Sequence, residues 1–385
     1  MRIRHVTRAT IGAVALAAAV AAGCAPPPPA GGVDPNTAPR AAEAAYATAG
    51  PYSVGVTTLD LLGDREVEVW YPVTPGAEGD QPPDVYFLRD FLGEGFQALL
   101  PPDVNPPFVT DARRGVPAAE GRFPLVLFSH GTASYRLQST FLTTHLASWG
   151  FVVLSPDFLE RGLQLLGGSP PAVNRSNVEI LEATIEVAEG LDAQDGGLLE
   201  GRIDAGRIFP VGHSAGGFGS TQLAAARDDV PAWISLSGGW ALPLLNPLPA
   251  APKAGLWMVG LNDQVANPAS VVDAYDWTPG EGRFVGIGGA GHNNAFTDIC
   301  TIGGEGGPVA LAIAAGLPLP DFLARLGNDG CLAPNTASEE LWPIVRHFVT
   351  AELRLRSGAD AEPVGLGDGV TAAWPTHTVV YRHDP

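Results

Sequence analysis

Apolar runs of strand length alternate with amphipathic stretches along most of this chain. Val54 to Leu61 and Glu66 to Tyr71 are β-rich and flank Gly63-Asp64, which predicts a hairpin. Pro72 to Pro117 breaks the pattern with proline pairs at 82–83, 101–102 and 106–107, and reads as loop. Phe123 to Ser129 and Phe151 to Ser155 are continuous apolar runs, as strands buried on both faces require. Between and after them, Ser139 to Ser148 and Val178 to Leu191 have helical spacing, the second with Ile180, Leu181, Ile185 and Val187 on its apolar face. Strands are predicted again near 208–211, at Ala232 to Leu236, Gly255 to Gly260 and Arg283 to Ile287, with helices at Pro268 to Ala274 and Glu339 to Leu353. This alternation predicts an α/β fold, a central mostly parallel sheet flanked by helices. The segment from Ser357 to Pro385 is Gly-rich and turns strand-like at His377 to Tyr381, but the pattern gives it no place.

The first residues follow a different logic. Arg2, Arg4 and Arg8 precede an unbroken apolar run from Ile11 to Ala22, too short to span a bilayer and typical of an export signal. The run ends in Ala21-Ala22-Gly23-Cys24, which resembles the lipobox of bacterial lipoproteins, so Cys24 is the expected lipidation site. Residues 24–47 are rich in Pro, Gly and Ala and read as a spacer. The expected organisation is a lipoprotein signal peptide over 1–23, a linker over 24–47, an α/β domain over 48–355, and an extension of unknown role over 356–385. The protein is expected to be exported and held on the outer face of a membrane by its lipid, with release after ordinary cleavage as the alternative. A monomer is expected.

Composition narrows the picture further. Hydrophobic residues make up 45% and charged residues 16%, enough for a large core. Gly (48) and Pro (36) imply many turns. A net charge of −19 argues against a nucleic-acid partner, whose phosphates call for a basic surface. With Cys24 lipidated, Cys300 and Cys331 remain, and in an exported chain they are expected to pair.

In a parallel sheet, functional loops lie at the carboxyl ends of strands. Four predicted strand ends carry candidate chemistry. Gly212-His213-Ser214-Ala215-Gly216 fits a nucleophile elbow, with Ser214 on a tight strand-to-helix turn. Asn262-Asp263 follows the run ending at Gly260, and Gly291-His292 follows the run ending at Ile287. His130-Gly131-Thr132 follows the run ending at Ser129. The order Ser214, Asp263, His292 is nucleophile, acid, base. His292 would take the proton of Ser214, and Asp263 would orient the imidazole. The backbone N–H groups of Ala215 and Thr132 are the candidate oxyanion donors. Asp273, Asp276 and Asp298 are rivals for the acid. His130, His213 and Asp157 are expected to be structural, and Trp240 is a candidate for the substrate pocket or for core packing. Leu159 to Asn174 and Gly303 to Asp329 are loops on which the shape of the acyl pocket depends; they are expected to be ordinary surface loops, with a lid as the alternative. No metal or cofactor is expected.

These residues resemble a family. Gly50-Pro51-Tyr52-Ser53-Val54-Gly55 resembles the opening of platelet-activating-factor acetylhydrolase-like proteins, and Phe128-Ser129-His130-Gly131, Gly212-His213-Ser214 and Gly291-His292-Asn293 fit the same group. Leu146 to Val153 is also similar to bacterial cutinase-like polyester hydrolases and dienelactone hydrolases. The resemblance spans roughly residues 50–300 and implies an α/β-hydrolase fold and a serine carboxylic ester hydrolase acting on small-molecule or lipid esters. The animal acetylhydrolases carry their acid one strand earlier, where this chain has Ser235-Leu236-Ser237-Gly238-Gly239-Trp240 and no carboxylate. Asp263 instead resembles the acid position of the polyester hydrolases. A lipase, a polyesterase or a phospholipid deacetylase fits the same residues, as does, in another class, a non-catalytic envelope-binding lipoprotein.

Overall fold

The computed structural model describes residues 43–238, 253–304 and 306–384. Two antiparallel strands, β1 (Ser53–Leu61) and β2 (Arg65–Val73), form the predicted hairpin. Strand β3 (Pro83–Phe87), the short helix α1 (Glu94–Gln97) and β4 (Pro107–Arg114) follow. The chain then alternates through β5 (Phe123–Ser129), α2 (Thr140–Ser148), β6 (Val152–Pro156), α3 (Asn177–Ala193), β7 (Ile203–His213), α4 (Ala215–Ala226) and β8 (Ala232–Leu236). It continues with β9 (Ala254–Gly260), α5 (Pro268–Asp276), β10 (Gly282–Ile287), α6 (Gly307–Ala314), α7 (Asp321–Asn328), α8 (Ser338–Ser357) and β11 (Val379–Asp384).

All eleven strands join one sheet, ordered β11-β10-β9-β8-β7-β5-β6-β2-β1-β4-β3. Strands β6, β5, β7, β8, β9 and β10 pair in parallel at its centre. Every residue of β5, β8 and β9 is buried, which is why these segments read as unbroken apolar runs. Two apolar layers fill the opposite faces, one centred on Phe128, Met258 and Phe348, the other on Leu127, Trp233 and Trp257. Helix α3 starts at a capping box: Ser176 Oγ accepts from the Glu179 N–H, and the Glu179 carboxylate accepts from the Ser176 N–H.

Three expectations need revision. The stretch from Pro72 to Pro117 is not loop throughout, because it holds β3, α1 and β4. Its prolines hid the strands, yet Pro83 and Pro107 are the first residues of their strands, where a missing N–H is tolerated. The segment left without a place ends in β11, which runs antiparallel to β10 from Ile287↔Val379 to Gly282↔Asp384 and covers that edge. Tyr46, assigned to the linker, is buried beside the ring of His347, so the packed chain begins before residue 48. The expected signal peptide, Cys24 and Trp240 lie outside the described residues.

Candidate active site

Strand β7 delivers Ser214 to the first turn of α4 with φ 55° and ψ −120°, a conformation that non-glycine residues seldom adopt. The turn closes on glycines. A Cβ on Gly212 would lie 2.1 Å from the Gly216 oxygen, and one on Gly216 would lie 1.9 Å from the Ser129 oxygen. Only hydrogen fits at either place, so the motif spacing follows from steric contact. The Ser214 N–H donates to the Leu236 oxygen at 2.8 Å, which ties the elbow to β8. Ala215 opens α4, so its N–H has no partner within the helix.

Asp263 follows β9 and His292 follows β10, and the structure brings them together. His292 Nδ1–H donates to Asp263 Oδ2 at 2.8 Å, while Asp263 Oδ1 accepts from the N–H groups of Val265 (2.8 Å) and Ala266 (2.7 Å). The carboxylate is therefore fixed by backbone donors and in turn fixes the imidazole. With its proton on Nδ1, His292 presents Nε2 as an acceptor. That atom is buried, has no hydrogen-bond partner among the described residues, and belongs to a residue lining the same cleft as Ser214. The rival acids are engaged elsewhere. Asp298 accepts from Thr140 and Phe141 at the start of α2, its carboxyl pushed up to about 7, chiefly by burial. Asp276 pairs with Arg382, and Asp273 is exposed, whereas His292 is buried.

The loop after β5 lies against the elbow: a Cβ on Gly131 would be 3.2 Å from the Ser214 Cβ. The Thr132 N–H has no hydrogen-bond partner among the described residues and lines the cleft. His130 braces this loop from behind. Its Nε2 accepts from the Phe158 N–H and its Nδ1–H donates to the Gly131 oxygen, both at 2.9 Å. Burial holds its pKa down to about 3, so it stays neutral. Asp157 is paired with Arg136 at 2.8 Å.

Sequence reasoning missed two residues that connect these parts. Gln138 Oε1 accepts from the Gly131 N–H (2.8 Å), and its Nε2 donates to His213 Nδ1 (3.0 Å). His213 Nε2–H then donates to the His292 oxygen (2.9 Å). Burial, with the neighbouring His292 second, holds His213 well below the usual histidine range. The bridge thus joins the Gly131 loop to the His292 loop through a neutral imidazole. Asp329 holds the other side, with Oδ1 accepting from the His292 N–H (2.8 Å) and Oδ2 from the Gln264 N–H (2.9 Å). Neither residue sits in a motif; a Gly after Asp329 was the one local signal.

An apolar cleft of about 1130 Å³, its open mouth included, stands over Ser214 and His292. Its walls come from residues 88–106 around α1, from Leu163 and Leu166, and from α6 and α7. Thus both loops singled out as lid candidates contribute, and the 88–106 wall was hidden in the presumed loop. Cys300 and Cys331 form a disulfide across the base of the α6–α7 segment. Among the described residues, no group of three or more His, Cys, Asp or Glu could hold a metal ion.

A mostly parallel sheet with a serine elbow after one central strand, and an Asp and a His paired from the ends of two later strands, is the α/β-hydrolase fold, and the chain has that fold. Residues 91–236 match the chlorophyllase family model. The chain is also 31% identical over 166 residues to a bis(hydroxyethyl) terephthalate hydrolase of Streptomyces coelicolor, covering 41% of this chain and 45% of that protein. The chain therefore spans about half the length of the curated relative it matches.

Proposed function

We propose that this chain is a serine hydrolase of carboxylic esters that works through an acyl-enzyme. The observation carrying the reading is the His292–Asp263 pair at 2.8 Å, with an unpartnered Nε2 on the cleft that also holds the strained Ser214. In this mechanism Ser214 Oγ attacks the ester carbonyl as its proton passes to His292 Nε2. The oxyanion accepts from the N–H groups of Ala215 and Thr132. Collapse expels the alcohol, which takes the proton from His292. Water then repeats the sequence on the acyl-serine, releases the acid and restores the hydroxyl. The relative named for bis(hydroxyethyl) terephthalate hydrolysis supports ester chemistry and favours a polyesterase as the second reading.

Rapid-mixing turnover of nitrophenyl acetate tests the mechanism. A burst of nitrophenolate equal to the enzyme concentration is expected when deacylation limits the rate, and Asp263→Asn should lower kcat by about 10⁴-fold. Folded protein that hydrolyses no ester would support an envelope-binding lipoprotein instead. We also propose that Cys24 is lipidated and anchors the exported protein. An alkynyl fatty acid fed to expressing cells should label wild type but not Cys24→Ala; equal labelling of both rejects the anchor.

A further inference from the structure

The span shared with the chlorophyllase family ends at residue 236, yet the cleft over Ser214 is walled in large part by α6 and α7, far beyond it. Substrate choice must therefore be read from this chain's own residues. We infer that the substrate is an uncharged ester carrying a long, flexible aliphatic chain, which lies under the roof made by residues 88–106 and by the disulfide-closed loop from Cys300 to Cys331. This rests on the ester-hydrolase reading above.

The roof is aliphatic by design of its spacing. Leu88, Leu92, Phe96 and Leu100 recur every four residues and all line the cleft. Facing the same space from α7 are Leu323 and Leu326, while Arg325 between them is exposed. Such a lining lowers the free energy of hydrocarbon leaving water, by an amount proportional to the length buried. The extent of this lining decides against a small acyl group. It runs from Leu88 through Leu100 on one wall to Leu319, Leu323 and Leu326 on the other. An acetyl group would leave most of that leucine surface against water.

Charge decides against an ionic substrate. Among the described residues lining the cleft, Arg89 is the one permanent charge. Its guanidinium is spent on the wall itself, donating to the oxygens of Gln97 (2.8 Å) and Pro101 (3.0 Å). The remaining polar lining is neutral: Ser134 Oγ and Asn105 Oδ1 are buried there without partners. A carboxylate or phosphate drawn inside would lose its hydration and meet only Arg89, whose N–H groups are already given to backbone oxygens. A chain of net charge −19 would repel it on approach as well.

The test is kcat/KM over two neutral series, nitrophenyl alkanoates of growing acyl chain and acetate esters of growing alkyl alcohol. A nitrophenyl hemisuccinate, matched in length to a neutral ester, is the charged control. At about three- to fourfold per buried methylene, at least a tenfold rise from acetate to octanoate, or from methyl to octyl, is expected in one series. The series that rises identifies which side of the ester carries the chain. The hemisuccinate should be at least about tenfold poorer than its neutral match. Leu92→Trp and Leu323→Trp should each lower the long-to-short ratio at least about tenfold. Because that ratio is taken within one preparation, it does not depend on the fraction folded. If short esters are hydrolysed but both series are flat or fall, or the ratio survives both tryptophans, this inference fails and the ester-hydrolase reading stands. If no ester is turned over, that reading itself fails.

Discussion

At the residue scale, the site depends on which atoms donate and which accept. Gln138 shows this most sharply, because its amide has one orientation that serves both the Gly131 N–H and His213 Nδ1. Gln138→Leu would leave both groups buried and unpaired, at about 1–3 kcal/mol each. It would also free the Gly131 loop to shift relative to Ser214. A fall in kcat of about 10²-fold with little change in KM is expected from steady-state kinetics. Loss of KM alone would assign Gln138 to substrate binding. Asp329→Asn keeps one acceptor for two backbone donors, so it should cost about tenfold in kcat, far less than Asp263→Asn. The reverse ranking would exchange the roles of the two aspartates. Ser214, Asp263 and His292 were legible in the sequence because each follows an apolar run and is framed by glycine or a turn residue. Gln138 was not, since its partners lie 7 and 75 residues away and no local pattern encodes that meeting.

At the element scale, the parallel strands were legible because burial on both faces demands uniform apolarity, as in β5 and β9. The roof was not. Proline pairs mark residues 101–102 and 106–107 as irregular, yet a four-residue apolar spacing, Leu88, Leu92, Phe96 and Leu100, runs up to them. The α6–α7 segment depends on tertiary support, which the Cys300–Cys331 disulfide supplies with a separation of 31 residues. Replacing both cysteines by serine should lower unfolding free energy by about 3–4 kcal/mol in the chain-entropy view. Chemical denaturation would measure it. The same variant should lose preference for long chains, because the wall it loosens is the one carrying Leu323 and Leu326. An unchanged midpoint would mean that the loop is held by its packing alone.

At the scale of the whole molecule, buried neutral histidines make stability depend on pH. His347 on α8 accepts from the Tyr46 N–H through Nδ1 (3.2 Å) and donates through Nε2 to the Gly365 oxygen (2.9 Å). It thereby ties both the N-terminal segment and the chain after α8 to the core. Burial holds its pKa down to about 4, below the unfolded value near 6.5. Its stabilising contribution is thus present above pH 6.5 and is lost as pH falls toward 4. His347→Gln should be less stable than wild type by about 1–3 kcal/mol at pH 8. That gap should close by about 1.4 kcal/mol per pH unit below pH 6.5, which urea unfolding at pH 8 and pH 5.5 would read. A constant gap would contradict a neutral His347. His130 and His145, both held near 3 by burial, act in the same sense. Asp298 acts in the opposite sense: its carboxyl, raised to about 7, contributes stability that is lost as pH rises from about 4 through 7. Comparing variant with wild type cancels such background.

The central claim is that His292, oriented by Asp263, makes Ser214 a nucleophile. Fluorophosphonate labelling, with the modified peptide located by mass spectrometry, tests it most directly. One label per folded chain, on the peptide containing Ser214 and absent from Ser214→Ala, is the expected result. Folded wild type that takes no label, or a Ser214→Ala variant that labels equally well, would contradict it.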